Sequence, residues 1–412
     1  MPGDVDVWSA SADPIAESER GHLLHCAHVG TFTAGQVANM PPYPTALDPA
    51  THGYDLFVIQ YVSEARAGVA LPVSALVYTP SDGASAVPVV ALGHGTLGVG
   101  PSCGPSHVPV LTDALAIPLV GRGYAVIAPD FAGNGVDNGM SSFLVGRAEG
   151  AAMLDGVRAL AELHDPRFDA KQLGSDLFVA GHSQGGHAAL FAHQLYDSSV
   201  GFNLLGSIAL APALGSARQW SMFFAAPARP FGPMEALGLS ALYSHMVFTG
   251  SPTASAWLLP AAEVTVQTTL HDQCLASLAM NLPANGQTLG DVYQPSFLAA
   301  AGRCSFAGSC PDFEPWAAEL VGEEPGRFAS TIPSLILQGT SDVIVPPPTV
   351  ACIVERMRAS RTPVQACGYA GADHASIVGA AAADMIRWMA ARRTGANPNV
   401  CGAPLTATCS SP

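Results

Sequence analysis

Charge is scarce in this sequence, and positive charge most of all. Only 12% of its 412 residues are charged, and 17 Lys and Arg stand against 32 Asp and Glu, for a net charge of −15. A surface of that sign repels phosphate backbones and anionic headgroups, which argues against a nucleic-acid partner. Long apolar runs are also missing. The stretch 198–217, among the longest without charge, is broken by Gly, Asn and Pro, so no stable membrane anchor is expected. There is no CxxC pair and no Cys/His run with zinc spacing, hence no metal site is expected. The first residues, MPGDVDVWSA, have neither a basic nor an apolar leader segment. No internal repeat or low-complexity tract appears.

What is present points to a large folded core. Hydrophobic residues make up 49% of the chain, which excludes a disordered polymer. Its 42 Gly and 34 Pro imply many turns and caps rather than one helical array. Nine cysteines, at 26, 103, 274, 304, 310, 352, 367, 401 and 409, suggest several disulfides in an oxidising compartment. The expected location is therefore secreted or periplasmic, with any signal peptide removed.

Short apolar runs bounded by Pro or Gly recur along the chain. They are 55–63, 71–80, 87–93, 124–130, 176–181, 204–212, 332–339 and, more weakly, 362–371. Between them lie helical patterns at 109–123, 141–163, 184–196 and 376–393. Strands alternating with helices of this length predict an α/β fold: a mostly parallel central sheet flanked by helices. The core is expected over 51–212 and 332–395, behind an irregular extension at 1–50 and ahead of a tail at 396–412. Residues 213–331 are too long for a connection. They are rich in aromatics and Met, from Trp220 and Met222 to Phe248 and Trp257, and read as an inserted, mainly helical cap.

One motif carries chemistry. GHSQG (181–185) matches G-x-S-x-G with a strand before it and a helix after it, the context of a nucleophile elbow. The sharp turn lifts Ser183 above the sheet edge. The helix that follows aims free N–H groups at a developing oxyanion. His182 and His187 flank the serine; His182 is read as packing at the turn, and His187, one turn into the helix, is given a structural role. The serine needs a general base and the base needs a carboxylate, in the chain order Ser, acid, His. Asp342 follows the run 332–339, and His374 is the only histidine after it. Asp130, Asp373 and Asp384 are rival acids, of which Asp130 is the most serious. For the oxyanion hole, Gln184 follows the nucleophile, and GHGTLG (93–98) supplies a second N–H, assigned to Leu97 beside Thr96. His94 is read as holding that loop.

Four blocks in order, GHGTLGVGPSCGPS (93–106), RGYAVIAPDFAGNG (122–135), FLVGRAEGAAMLDGVRA (143–159) and GHSQGGHAALFAHQL (181–195), resemble the bacterial branch of the secretory lipase family. That resemblance, spanning roughly 50–390, implies an α/β-hydrolase fold with a helical cap and a triad of Ser183, Asp342 and His374. It implies a secreted serine esterase or lipase, and a disulfide between Cys103 and a cap cysteine, for which Cys274 is the candidate. Where Leu97 stands the family often has Thr or Asp; leucine offers only its backbone N–H. Three other pairings are expected on position: Cys304–Cys310, Cys352–Cys367 and Cys401–Cys409, leaving Cys26 over. The reaction these residues fit is ester hydrolysis through an acyl-enzyme, without cofactor, on a small-molecule or lipid ester. An acyltransferase or polyester hydrolase would use the same triad. A non-catalytic binding protein of this fold would be expected to lack a triad member.

Overall fold

The computed structural model describes residues 6–409 apart from 11–13, 42, 45–46, 67–68, 140–141, 214–220, 222, 229, 251–252, 276, 278–287 and 308–321. Its strands are β1 (Leu23–Phe32), β2 (Tyr54–Arg66), β3 (Val69–Pro80), β4 (Val87–Gly93), β5 (Ala125–Pro129), β6 (His164–Asp165), β7 (Phe168–Asp169), β8 (Leu173–His182), β9 (Asn203–Leu210), β10 (Ser334–Gly339) and β11 (Val364–Tyr369). The helices are α1 (Ala34–Ala38), α2 (Val110–Val120), α3 (Gly146–Leu160), α4 (Gln184–Leu195), α5 (Pro233–Thr249), α6 (Pro260–Asp272), α7 (Pro295–Ala307), α8 (Pro347–Ala359) and α9 (Ile377–Arg393).

Nine strands form one sheet in the order β1-β2-β3-β5-β4-β8-β9-β10-β11, while β6 and β7 make a small separate ribbon. From β5 to β11 the neighbours are parallel, and β1, β2 and β3 add on antiparallel. All seven residues of β4 and all six of β10 are buried, as apolar runs covered on both faces must be. One core layer joins the sheet to α3 and α4, the other joins it to α2 and α9.

Two expectations need correction. The segment 1–50 is not irregular throughout, because Leu23–Phe32 forms β1, the edge strand paired with β2. Its residues are half-buried or exposed, and His and Gly interrupt its apolar pattern, so it lacks the apolar signature of an inner strand. The C-terminal cysteines also pair differently. Cys352 bonds Cys409 and Cys367 bonds Cys401, not Cys352–Cys367 and Cys401–Cys409. The tail turns back beside β11, with Gly368 N–H on the Ala403 carbonyl at 2.9 Å and Leu405 N–H on that of Ala366 at 3.0 Å. That path carries Cys401 to the strand and Cys409 on to α8. Cys103 pairs with Cys274, and Cys26 is free. Cys304 is disulfide-bonded, but the expected Cys304–Cys310 pair lies outside the described residues because Cys310 does.

Between β9 and β10, helices α5 and α6 open with Pro in their first turn, where the missing N–H costs nothing. With α7 they pack around Phe224, Trp257, Tyr293 and Phe297, whose rings meet at 5.1–6.2 Å. Much of the segment's aromatic wealth is therefore its own core. Trp220 and Met222 lie outside the described residues.

Candidate active site

The turn between β8 and α4 places Ser183 at φ 57°, ψ −117°, a backbone that non-glycine residues rarely adopt. The strain is held from both sides. Ser183 N–H donates to the Leu210 carbonyl at 2.9 Å, and its own carbonyl accepts from His187 at 3.1 Å and Ala213 at 3.2 Å. The turn also needs Gly185: a Cβ there would lie 1.9 Å from the Gly93 carbonyl oxygen on β4.

Three side chains of the candidate site form one hydrogen-bonded run. His374 Nε2 lies 2.9 Å from Ser183 Oγ, and its Nδ1 lies 2.7 Å from Asp342 Oδ2. Asp342 is buried, and its other oxygen accepts from the N–H groups of Ile344 and Val345, both at 2.9 Å. Those bonds fix the carboxylate's rotation. His374 sits on the loop after β11, and His182 grips that loop from below, its Nε2 2.7 Å from the His374 carbonyl oxygen. Burial pushes the His182 imidazole down to about 4, and the nearby His374 adds to this. His182 is thus neutral at pH 7, a donor to a carbonyl and not a rival base.

The rival acids point elsewhere. Asp130 is buried, and its carboxylate accepts from Ser74 and from the hydroxyl and N–H of Ser106. Burial raises its carboxyl, against those hydrogen bonds. Asp373 accepts from Ser376 and Ala375 in the turn leading into α9, and Asp384 pairs with Tyr369 and Arg387. His94 stacks on Phe131, with its ring nitrogens on the carbonyls of Gly95 at 2.7 Å and Asp130 at 3.3 Å.

An apolar cleft opens beside Ser183. It is lined by Phe143 and Leu144, by Phe223, Met234 and Leu237 from the segment between β9 and β10, and by Ile344 and Val345, close in sequence to Asp342. Gln184 and Thr96 complete the lining beside Ser183. Leu97 is not part of this lining. Its carbonyl accepts from Leu275 N–H at 2.7 Å, next to the Cys103–Cys274 bond. Of the 93–98 loop, Thr96 is the residue in this lining.

Sequence reasoning did not foresee what lies under the elbow. Glu149 of α3 is fully buried and takes hydrogen bonds from Leu144 N–H, Gln184 Nε2 and His187 Nδ1. The available signal was a carboxylate on the buried face of an amphipathic helix.

Comparison with known proteins follows the same lines. A profile of the secretory lipase family matches residues 108–212. Lipase A of Moesziomyces aphidis is 27% identical over 195 residues, covering 44% of this chain and only 40% of that protein's length. Candida antarctica lipase A in its closed state superposes with a TM-score of 0.72 at 19% identity, covering 99% of this chain and 89% of that one. The rice cell wall degrading esterase LipA from Xanthomonas oryzae gives 0.71 at 17% identity, over 91% and 97%. The resemblance to the secretory lipase family therefore holds, in sequence over 108–212 and, across nearly the whole chain, in an α/β-hydrolase fold shared with solved lipases and esterases.

Proposed function

We propose that this chain is a secreted serine carboxylic-ester hydrolase, an esterase or lipase acting on esters with a hydrophobic acyl part. The observation that carries this reading is the run Ser183–His374–Asp342, at 2.9 and 2.7 Å, beside an apolar cleft. His374 takes the Ser183 proton as Oγ attacks the acyl carbonyl. Asp342 keeps Nδ1 protonated and stabilises the imidazolium. The oxyanion falls to the N–H of Gln184, at the start of α4, and to an N–H of the 93–98 loop, that of Leu97 or of its neighbour Thr96, which lines the cleft. His374 then protonates the leaving alcohol, and water, deprotonated by His374, cleaves the acyl-enzyme.

The acyl chain fits among Phe143, Leu144, Phe223, Met234 and Leu237, which no charged group interrupts. Support for secretion comes from the disulfides and from the family resemblance.

A fluorophosphonate probe and a chain-length series of p-nitrophenyl esters test the proposal together. Labelling that is stoichiometric in the wild type and absent in Ser183→Ala is expected, with turnover lost in the same variant. Labelling that survives in Ser183→Ala, or a wild type that cleaves no ester in the series, would overturn it.

A further inference from the structure

Glu149 takes no part in the mechanism above, yet its position is costly. A buried carboxylate paired with a buried histidine is seldom better for stability than apolar side chains of the same volume. What distinguishes Glu149 is which groups it holds. Oε1 accepts from Leu144 N–H at 2.9 Å and from Gln184 Nε2 at 2.7 Å, and Oε2 faces His187 Nδ1 at 3.0 Å. Leu144 and Gln184 both line the cleft beside Ser183, and Gln184 follows the nucleophile directly. His187 passes the contact on, its Nε2 lying 2.9 Å from the Glu323 carbonyl near the end of the 213–331 insertion.

Leu144 adds a second, independent observation. Its φ is +56°, in the left-handed region that leucine avoids. In this conformation its N–H points to Glu149 while Leu144 itself forms part of the cleft wall. One carboxylate oxygen thus sets both the wall of the acyl cleft and the side chain of the residue that supplies the oxyanion N–H. Burial pushes the Glu149 carboxyl upward, against its three donors. For His187 burial alone would lower the imidazole, but Glu149 and Glu323 together outweigh it and the net direction is up.

Resting on the reading of Ser183 as nucleophile, we propose that Glu149 is a positioning residue: by the reach of its hydrogen bonds to Gln184 and Leu144, it aligns the oxyanion donor with the acyl cleft and sets which acyl lengths react productively.

Reach and charge can be separated by two conservative variants. Glu149→Gln keeps the reach and removes the charge. Its carbonyl oxygen accepts from Leu144 and Gln184, and its NH₂ donates to a neutral His187 that still donates to Glu323. Glu149→Asp keeps the charge but is one methylene short. Both are assayed with p-nitrophenyl butyrate and octanoate, well below their melting temperatures, with the folded fraction measured by circular dichroism. The expected result is that Gln retains kcat within about threefold and the wild-type ratio between the two esters. Asp loses about tenfold or more in kcat and changes that ratio, in keeping with the sensitivity of such sites to small displacements. Wild-type kcat and ester preference in Glu149→Asp would overturn the proposal, as would equal losses in both variants, which would make charge or packing the cause. Wild-type labelling at Ser183 is measured alongside; its absence would count against the nucleophile assignment rather than against Glu149.

Discussion

Asp342 and Asp130 both follow a strand of the central sheet, and what separates them is the direction of their remaining hydrogen bonds. Asp342 spends one oxygen on the backbone of Ile344 and Val345 and faces His374 with the other. Asp130 spends both oxygens on Ser74 and Ser106. The substitution Asp342→Asn should then lower kcat for p-nitrophenyl esters by about 10²–10⁴, since an amide no longer fixes the imidazole tautomer. Asp130→Asn and Asp373→Asn should retain most of the activity, the first with a lower melting temperature. A larger kcat loss in Asp130→Asn than in Asp342→Asn would reverse the assignment of the acid. His374→Ala should match Ser183→Ala, with losses of at least about 10³-fold.

At the scale of elements, the elbow depends on how closely α4 can approach β4. The contact is backbone against backbone at Gly185 and Gly93, so no rotamer change can absorb a side chain there. Gly185→Ala should push the helix away from the sheet and misplace Ser183. Low soluble yield, or fluorophosphonate labelling slowed by about 10²-fold, is the expected outcome; wild-type yield and labelling would contradict it. The tail is a second element with a clear test. Cys352–Cys409 closes 57 residues of sequence and holds the tail's far end on α8. In the chain-entropy account a loop of that size is worth about 4 kcal/mol. Cys352→Ser combined with Cys409→Ser should therefore melt several degrees lower, while ester turnover per folded molecule at room temperature stays at the wild-type value.

Across the whole molecule, four buried histidines weaken the fold as pH falls. His94, His182, His193 and His245 are each pushed by burial from 6.5 down to about 4. In the unfolded chain they take up protons near pH 6.5, but in the folded protein only near pH 4. Between those values the unfolded state binds more protons, so stability falls as pH falls through this window. Each group contributes a slope of up to about 1.4 kcal/mol per pH unit. Melting temperatures measured from pH 7 to pH 4 should drop progressively, most steeply below about pH 6. Buried carboxyls such as Asp130 and Glu149, raised by burial, take up protons more readily in the folded state and work the other way; a flat profile would show that they cancel the histidines or that the histidines are already charged in the native state.

The chain's local patterns carry a large part of this architecture. Apolar runs bounded by Pro and Gly mark the inner strands because those strands are covered on both faces, and G-x-S-x-G marks the elbow because its geometry is made within five consecutive residues. β1 left no such mark, since an edge strand half open to solvent needs no continuous apolar face. Only the tertiary structure decided which carboxylate meets His374, which residue of the 93–98 loop lines the cleft, and how the C-terminal cysteines pair. Each of these is a matter of proximity between residues far apart in sequence. It is fixed by the path of a loop or tail through space, and local periodicity holds no record of that path.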